Sequence, residues 1–280
     1  MPSRTISIGD SKASILNLGD LYFRLADVEG SPESEWRQKY GVLFEKRLPF
    51  PTQSVLISTT SALILVDAGN YSLFAAADPS YTLKGYVPPS PLATQLEDLG
   101  VRRHDVTHVV ITHAHYDHYA GVTEKTGELY TPAFPSARYY LGRADWESPE
   151  MQKALSSRES AESISLGVLH SLGLLELVDA ESSLTQEVCV LPCPGESPGH
   201  QIVRLNSTGQ NLYCLGDLFH HAVEVENIKL MSSWCDSPAN IKSREWLLTR
   251  ALAEEAVLVA AHMPPGRLSD TPDGLRFIAI

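Results

Sequence analysis

Six consecutive positions, His113-Ala114-His115-Tyr116-Asp117-His118, carry three imidazoles and one carboxylate, directly after the apolar run Val109-Val110-Ile111. Neutral imidazole and carboxylate are donors suited to zinc, iron, manganese or cobalt, and four of them this close exceed what one catalytic ion normally takes from one segment. Two metals are therefore expected. The apolar run reads as a strand, so His113 and His115 alternate and project to one side, while Asp117 and His118 lie beyond the turn and face a second ion. A density of three histidines in six positions stands out in a chain with ten in all.

Two ions need more donors than one loop supplies, and three further residues stand at strand ends beside glycine or at a strand's close. His200 follows Pro198-Gly199, Asp217 follows Leu215-Gly216, and His262 closes the run from Ala256 to Ala261. Each is weak alone; together they complete a ligand inventory. His104, His108 and His170 have no such setting and read as surface or satisfied residues.

The elements that must carry these residues alternate. Ser54–Ser58 and Ala62–Asp67 read as a hairpin, Pro91–Gly100 as a helix, and His108–Thr112 as the strand feeding the metal loop. Arg138–Leu141 reads as a strand, followed by helices over Ala144–Ser156 and Ser160–Leu174. Strands return at Val188–Leu191, Gln201–Leu205 and Asn211–Leu215, then a helix from Ser237 to about Glu255 and a buried strand over Ala256–Ala261. Val28 to Pro51 and Tyr81 to Pro91 look irregular. No repeat or long linker divides the chain, which favours one domain over 1–280 in a layered α/β sandwich.

With 43% hydrophobic residues, the 280-residue chain can fill a sizeable core. A formal charge of −12 argues against nucleic acid as the main partner. The amino terminus lacks the apolar core of a signal peptide and no segment is long enough to cross a bilayer, so a cytoplasmic protein without a membrane partner is expected. Cys189, Cys193, Cys214 and Cys235 have no C-x-x-C spacing and read as reduced, mostly buried thiols. Trp146 and Trp246 read as core residues, with Trp234 open. Tyr71–Phe74 and Tyr81–Pro91, including Tyr86, are candidate walls of an apolar cleft, and with His221 supply the substrate-contact candidates.

These motifs together resemble the metallo-β-lactamase superfamily of metallohydrolases, from about Ser54 to Pro265, with 1–53 as an amino-terminal extension and 54–265 as core. The resemblance rests on Asp67-Ala68-Gly69, the His113-x-His115-x-Asp117-His118 loop, Pro198-Gly199-His200, Gly216-Asp217 and His262. It implies an αββα fold with two central mixed sheets flanked by helices. It further implies that two divalent transition-metal ions, zinc foremost, are held by His113, His115 and His200 and by Asp117, His118 and His262. Asp217 would bridge them and Asp67 would orient a ligand. Within the superfamily, Asp217 stands where the β-lactamases themselves place cysteine. The long amino-terminal segment with Trp36, Tyr40 and the Leu48-Pro49-Phe50-Pro51 turn is similar to that of quorum-quenching N-acyl homoserine lactone lactonases and their organophosphate-hydrolysing relatives. Some of those relatives pair through such an extension, so a homodimer is expected from the exposed-looking apolar residues between Trp36 and Phe50.

The implied chemistry is lactone or carboxylic ester opening by hydroxide generated between the metals, with Asp117 or His220 passing a proton. His220 stands where several lactonases carry a substrate-touching tyrosine. The alternatives are a phosphotriesterase, thioesterase or glyoxalase II-like hydrolase of the same superfamily, and, further off, a non-catalytic di-iron protein.

Overall fold

Apolar side chains alternate along the central strands, so these bury one face between two sheets and the other beneath helices. The computed structural model describes residues 4–29, 34–272 and 274–280, and the side chains of 28, 29 and 34–37 fall outside that description. The first sheet contains β1 (Arg4–Ile8), β2 (Ser11–Phe23), β3 (Leu48–Ser58), β4 (Leu63–Val66) and β5 (His108–Val110). A separate hairpin, β6 (Thr123–Thr126) and β7 (Leu129–Pro132), precedes the last two strands of that sheet, β8 (Arg138–Gly142) and β9 (Leu175–Val178). Its order is β1-β2-β3-β4-β5-β8-β9, antiparallel as far as β4 and parallel beyond. The second sheet runs β10 (Ser182–Ser183), β11 (Val188–Pro192), β12 (Gln201–Ser207), β13 (Gln210–Cys214), β14 (Val257–Val259), β15 (Gly266–Thr271) and β16 (Gly274–Ala279) in chain order. Only β13 and β14 pair in parallel there.

The space between the sheets is filled by Val55, Ile57, Ile64, Val66 and Val110 from one side and by Val190, Val203, Leu205, Leu212, Val257 and Val259 from the other. Intervening residues point outward: Leu56 and Leu65 pack under helix Leu92–Asp98, and Tyr213 and Leu258 under helix Ser237–Ala253. This is the helix–sheet–sheet–helix sandwich the motifs imply.

Several expected boundaries shift. Leu48-Pro49-Phe50-Pro51 is not a turn but the start of β3, paired with β2 from Phe23↔Leu48 onward. β4 joins β3 only from Val55, so the prolines sit where one strand edge is unpaired and their missing N–H groups cost no ladder bond. Helices Leu25–Glu29 and Ser34–Glu45 occupy the stretch expected to be irregular. The single helix expected over Ala144–Ser156 is two, Arg143–Trp146 and Pro149–Leu155: Pro149 cannot continue a helix but fits its first turn, and Ser148 caps it by accepting from the Met151 N–H. The next helix contains a π-helical turn at Ser163–Gly167 and ends at Ser171, short of Leu174.

Residues expected to be exposed between Trp36 and Phe50 are partly buried instead: Phe44 and Phe50 pack with Leu21, Phe23, Leu25 and Val223. The Trp36 side chain lies outside the described residues. Trp246, expected in the core, is 41% exposed with the Arg250 guanidinium over its ring, because helix Ser237–Ala253 turns Leu247, Leu248 and Ala251 inward instead. Trp146 is half-buried and stacks on His170. All four cysteines are free thiols, two of them buried. Among the described residues no helix is long and apolar enough to cross a membrane.

Candidate metal centre

Loops leaving the strand ends of both sheets meet at one edge of the sandwich. β5 runs into Thr112 and the His113–His115 loop, and Tyr116–Tyr119 forms one helical turn. The parallel neighbour β4 delivers Asp67, whose carboxylate accepts from the Thr112 N–H (2.8 Å) and Oγ1 (3.0 Å) and contacts His118 Nδ1 (2.9 Å). Asp67 thus fixes which way the His118 ring faces and leaves Nε2 pointing into the site. Gly69 follows because a Cβ there would collide with the Asp117 carbonyl. From the second sheet come His200 at the start of β12, Asp217 after β13 and His262 after β14. Gly216 adopts φ +52°, and a Cβ on it would lie 2.6 Å from Thr112 Oγ1, so the two sheets approach through that glycine.

All seven expected ligands lie in this region; the donor atoms of six of them, joined by Glu196, fall into two groups, and His200 is in neither. Asp117, His118 and His262 form one; His113, His115, Asp217 and Glu196 form the other. Within each, the donor atoms lie within 4.8 Å of one another. His113 Nε2 and His115 Nδ1 are 2.8 Å apart. The Asp217 Oδ2 atom stands between the groups, 3.7 Å from His113 Nε2, 3.2 Å from His118 Nε2 and 3.3 Å from His262 Nε2. His200 is beside them, its ring 5.2 Å from that of His113, with Nδ1 on the Cys193 carbonyl (3.0 Å) and Nε2 toward the Asp217 N–H (3.3 Å).

The electrostatics are those of a cation site. Burial and the neighbouring His118 and His115 rings hold His113 well below the ordinary histidine range, and burial takes His200 down to about 4, so both rings are neutral donors. Burial also opposes charge on His118 and His262, yet the surrounding carboxylates outweigh it: Asp217, Asp117 and Asp67 hold His118 well above its ordinary value, and Asp217 and Asp117 raise His262 to about 9. Asp117, which burial alone would raise, is drawn down to about 2 by His118 and His262. Asp217 is likewise held well below the carboxylate range by His118, His262 and His220. Protons thus stand where divalent ions would neutralise the same carboxylates. The donor set fits such ions on a second count: His118 Nε2 and Asp217 Oδ1 are buried with no hydrogen-bond partner, a costly state that ligation would relieve.

Three residues missed in the sequence hold the site together. Asp145 accepts from the Ala114 N–H (2.9 Å), the Gly199 N–H (2.6 Å) and Ser197 Oγ (2.8 Å), tying the first metal loop to the loop before His200. Gln53 donates to the Ala260 (3.0 Å) and Met263 (2.8 Å) carbonyls and so positions the His262 segment. Glu196, 2% exposed, lies 3.8 Å from His115 Nδ1 and 3.7 Å from His220 Nε2. Its only sequence signal is a carboxylate set between two Pro-Gly pairs four positions ahead of His200.

His220 Nε2 is 3.4 Å from Asp217 Oδ2, and its ring stacks on His262. The loop carrying it is braced by Glu224, which accepts from the His220 and His221 N–H groups, and by Arg244, which bonds Glu224 and the Leu218 and Leu230 carbonyls. His221 turns away from the site: its Nδ1 caps helix Ala222–Glu226 by accepting from the Val223 N–H. Tyr86 is also outside the cleft; its hydroxyl accepts from the Asp20 N–H and its ring packs on Tyr22 and Tyr71. A cleft of about 250 Å3 opens over Asp117, Asp217, His220 and His262, walled by Leu21, Phe23, Phe74, Tyr81, Tyr116 and Trp234. His115, with a side chain 39% exposed, marks its mouth.

Residues 47–262 match the family model of the metallo-beta-lactamase superfamily, and the chain belongs to that superfamily. It is similar to a probable metallo-hydrolase of Mycobacterium bovis, 26% identical over 190 residues, an alignment covering 60% of this chain and just over half (56%) of that protein. It is also similar to an N-acyl homoserine lactonase of Bacillus cereus, 23% identical over 60% of this chain and 63% of that one. Among solved structures, AidC, a dizinc quorum-quenching lactonase in complex with a product, superposes with a TM-score of 0.76 at 20% identity over 99% of this chain and 97% of its own. Hydrolase AbOPH reaches 0.78 at 18% identity over 100% and 97%. The shared fold is therefore whole-chain.

Proposed function

We propose that the protein is a dinuclear metal-dependent hydrolase that opens lactones or related carboxylic esters. The observation that carries this reading is the position of the Asp217 carboxylate, within 3.2–3.7 Å of imidazoles from both donor groups. One ion is assigned to His113, His115 and His200, the other to Asp117, His118 and His262, with Asp217 shared and zinc the first candidate metal. Such ions supply Lewis acidity and a water acidic enough to ionise near neutral pH. The chain's own residues do the rest. Apolar walls exclude water and seat an acyl chain, Asp117 at the cleft floor accepts a proton, and His220 donates a hydrogen bond to the substrate oxygen. The lactonase likenesses support a small lactone or ester as substrate.

The test is a screen of metal-reloaded protein on lactones, aryl esters, thioesters and phosphotriesters, beside metal analysis. Lactone or ester turnover dominating, with close to two ions per chain, is the expected result. Dominant phosphotriester or thioester hydrolysis would reassign the substrate, and a ratio at or below one ion after reloading would remove the dinuclear site. We further propose one domain, a cytoplasmic setting, which the free thiols favour, and a homodimer formed through helix Ser34–Glu45, where Val42 is 61% exposed. Sedimentation showing only monomer at micromolar concentration would refute the last.

A further inference from the structure

Glu196 has no task in the ligand set above, yet it is among the most deeply buried carboxylates of the chain. Burying a carboxylate is costly unless hydrogen bonds or a cation offset it, and Glu196 has two side-chain donors where the equally buried Asp145 has three donors. Among the described residues neither it nor Asp67, Asp117 or Asp217 forms an ion pair with lysine or arginine; their charged neighbours are histidines. Three of these carboxylates, Asp117, Asp217 and Glu196, belong to the two donor groups where divalent ions would bring positive charge, with Asp67 behind His118.

Resting on the two-ion reading, we propose that Glu196 is itself a ligand of the ion beside His113 and His115. That position then offers the imidazoles of His113, His115 and His200 and the carboxylates of Asp217 and Glu196, and the added carboxylate moves its preference from zinc toward manganese or iron. Donors bound at about 2.1 Å to one ion stand about 3–4 Å apart. The observed separations, 2.8 Å for His113 to His115, 3.8 Å for His115 to Glu196 and 3.7 Å for His113 to Asp217, fall close to that span. Glu196 is also aimed. The Trp234 indole N–H donates to Oε1 (2.5 Å), the Cys235 thiol donates to Oε2 (2.8 Å), and Asn240 Nδ2 holds the Cys235 sulfur (3.3 Å). A carboxylate has about four acceptor sites, so both bonds leave room for an ion, and such partners are what orients a ligating carboxylate. The metal preference follows from donor hardness: each carboxylate added to imidazoles moves a site toward manganese and ferrous iron.

Chelator-stripped wild-type protein and Glu196→Gln, titrated with Co2+ and followed by visible absorption, test the assignment. The wild type is expected to take up two ions. Glu196→Gln should weaken one of them at least tenfold, shift the absorption band, and lower the Mn2+-to-Zn2+ occupancy ratio in competition about tenfold. If the wild type binds two ions and Glu196→Gln matches it in affinity, spectrum and competition, Glu196 serves only His220 and this proposal is overturned while the two-ion reading stands. If the wild type itself binds at most one, that reading goes and the proposal with it. Should Glu196→Gln not fold, a crystal structure of Mn2+-loaded wild type decides: a Glu196 oxygen within about 2.0–2.3 Å of the ion supports the proposal, and one beyond 3 Å overturns it.

Discussion

Two buried glutamates flank His220, each with a carboxylate oxygen 3.7 Å from its ring, and their surroundings differ in one respect. Glu224 meets the guanidinium of Arg244, a pair with both side chains fully buried, and its other oxygen takes two backbone N–H groups. Glu196 meets an indole, a thiol and two imidazoles. A carboxylate with its own permanent cation holds a loop in shape; one whose neighbours are an indole, a thiol and histidines has no permanent cation of its own.

The sharpest way to break this comparison is at Arg244. Arg244→Met strands the Glu224 charge in the core and should cost about 3–5 kcal/mol in urea unfolding, part of it recovered when Glu224→Gln is added, which removes the charge and keeps an oxygen for the His220 and His221 N–H groups. A loss below about 1 kcal/mol would mean that Glu224 is no more neutralised than Glu196. His220, between the two, should follow the metal side. His220→Ala is expected to lower kcat/KM about ten- to a thousandfold, roughly 1.4–4 kcal/mol, with both ions retained, and His220→Tyr to restore part of it. Loss of metal in the alanine variant would place the ring among the groups that hold the ions instead.

Asp145 sharpens the contrast further, since three donors and no cation satisfy it. Asp145→Asn turns amide hydrogens toward N–H groups and should cost about 1–3 kcal/mol in thermal or urea unfolding, with weaker metal retention because two ligand loops loosen together. The smallest effect belongs to Glu254, which takes hydrogen bonds from Tyr213 (2.7 Å) and Arg250 (2.9 Å) at the surface. Burial favours its acid form, but those bonds hold its pKa below the ordinary 4.5. Its contribution is therefore present at neutral pH and lost as the pH falls through the folded-state value. Glu254→Gln should cost about 0.5–1 kcal/mol at pH 7, with the two stability curves converging in acid.

The sequence made legible what is contiguous. His113 to His118 lie on one loop, and their types alone announce metal binding; hydrophobic alternation likewise revealed the strands on either side. His200, Asp217 and His262 needed the family pattern as a template, because three separate strand ends carry them. Glu196 and Asp145 escaped because their meaning is spatial: a glutamate between prolines and an aspartate in a short helix look like surface residues until neighbours 31 to 54 positions away close around them. The bend at Pro149 was readable from local chemistry and was missed in favour of periodicity.

Each sheet is contiguous in the chain: residues 4–178 complete the first and 182–279 the second. During synthesis the first sheet therefore emerges whole, with Ile15, Val55, Ile57, Ile64, Val66 and Val110 bare on one side until the strands from Val188 to Val259 arrive to cover them. That interval exposes an apolar face to aggregation. It also means that His113 to His118 are made long before Asp217 and His262, so the candidate site is complete only once the two sheets have docked, and any ion that needs donors from both sheets would be taken up at the last step of folding rather than the first.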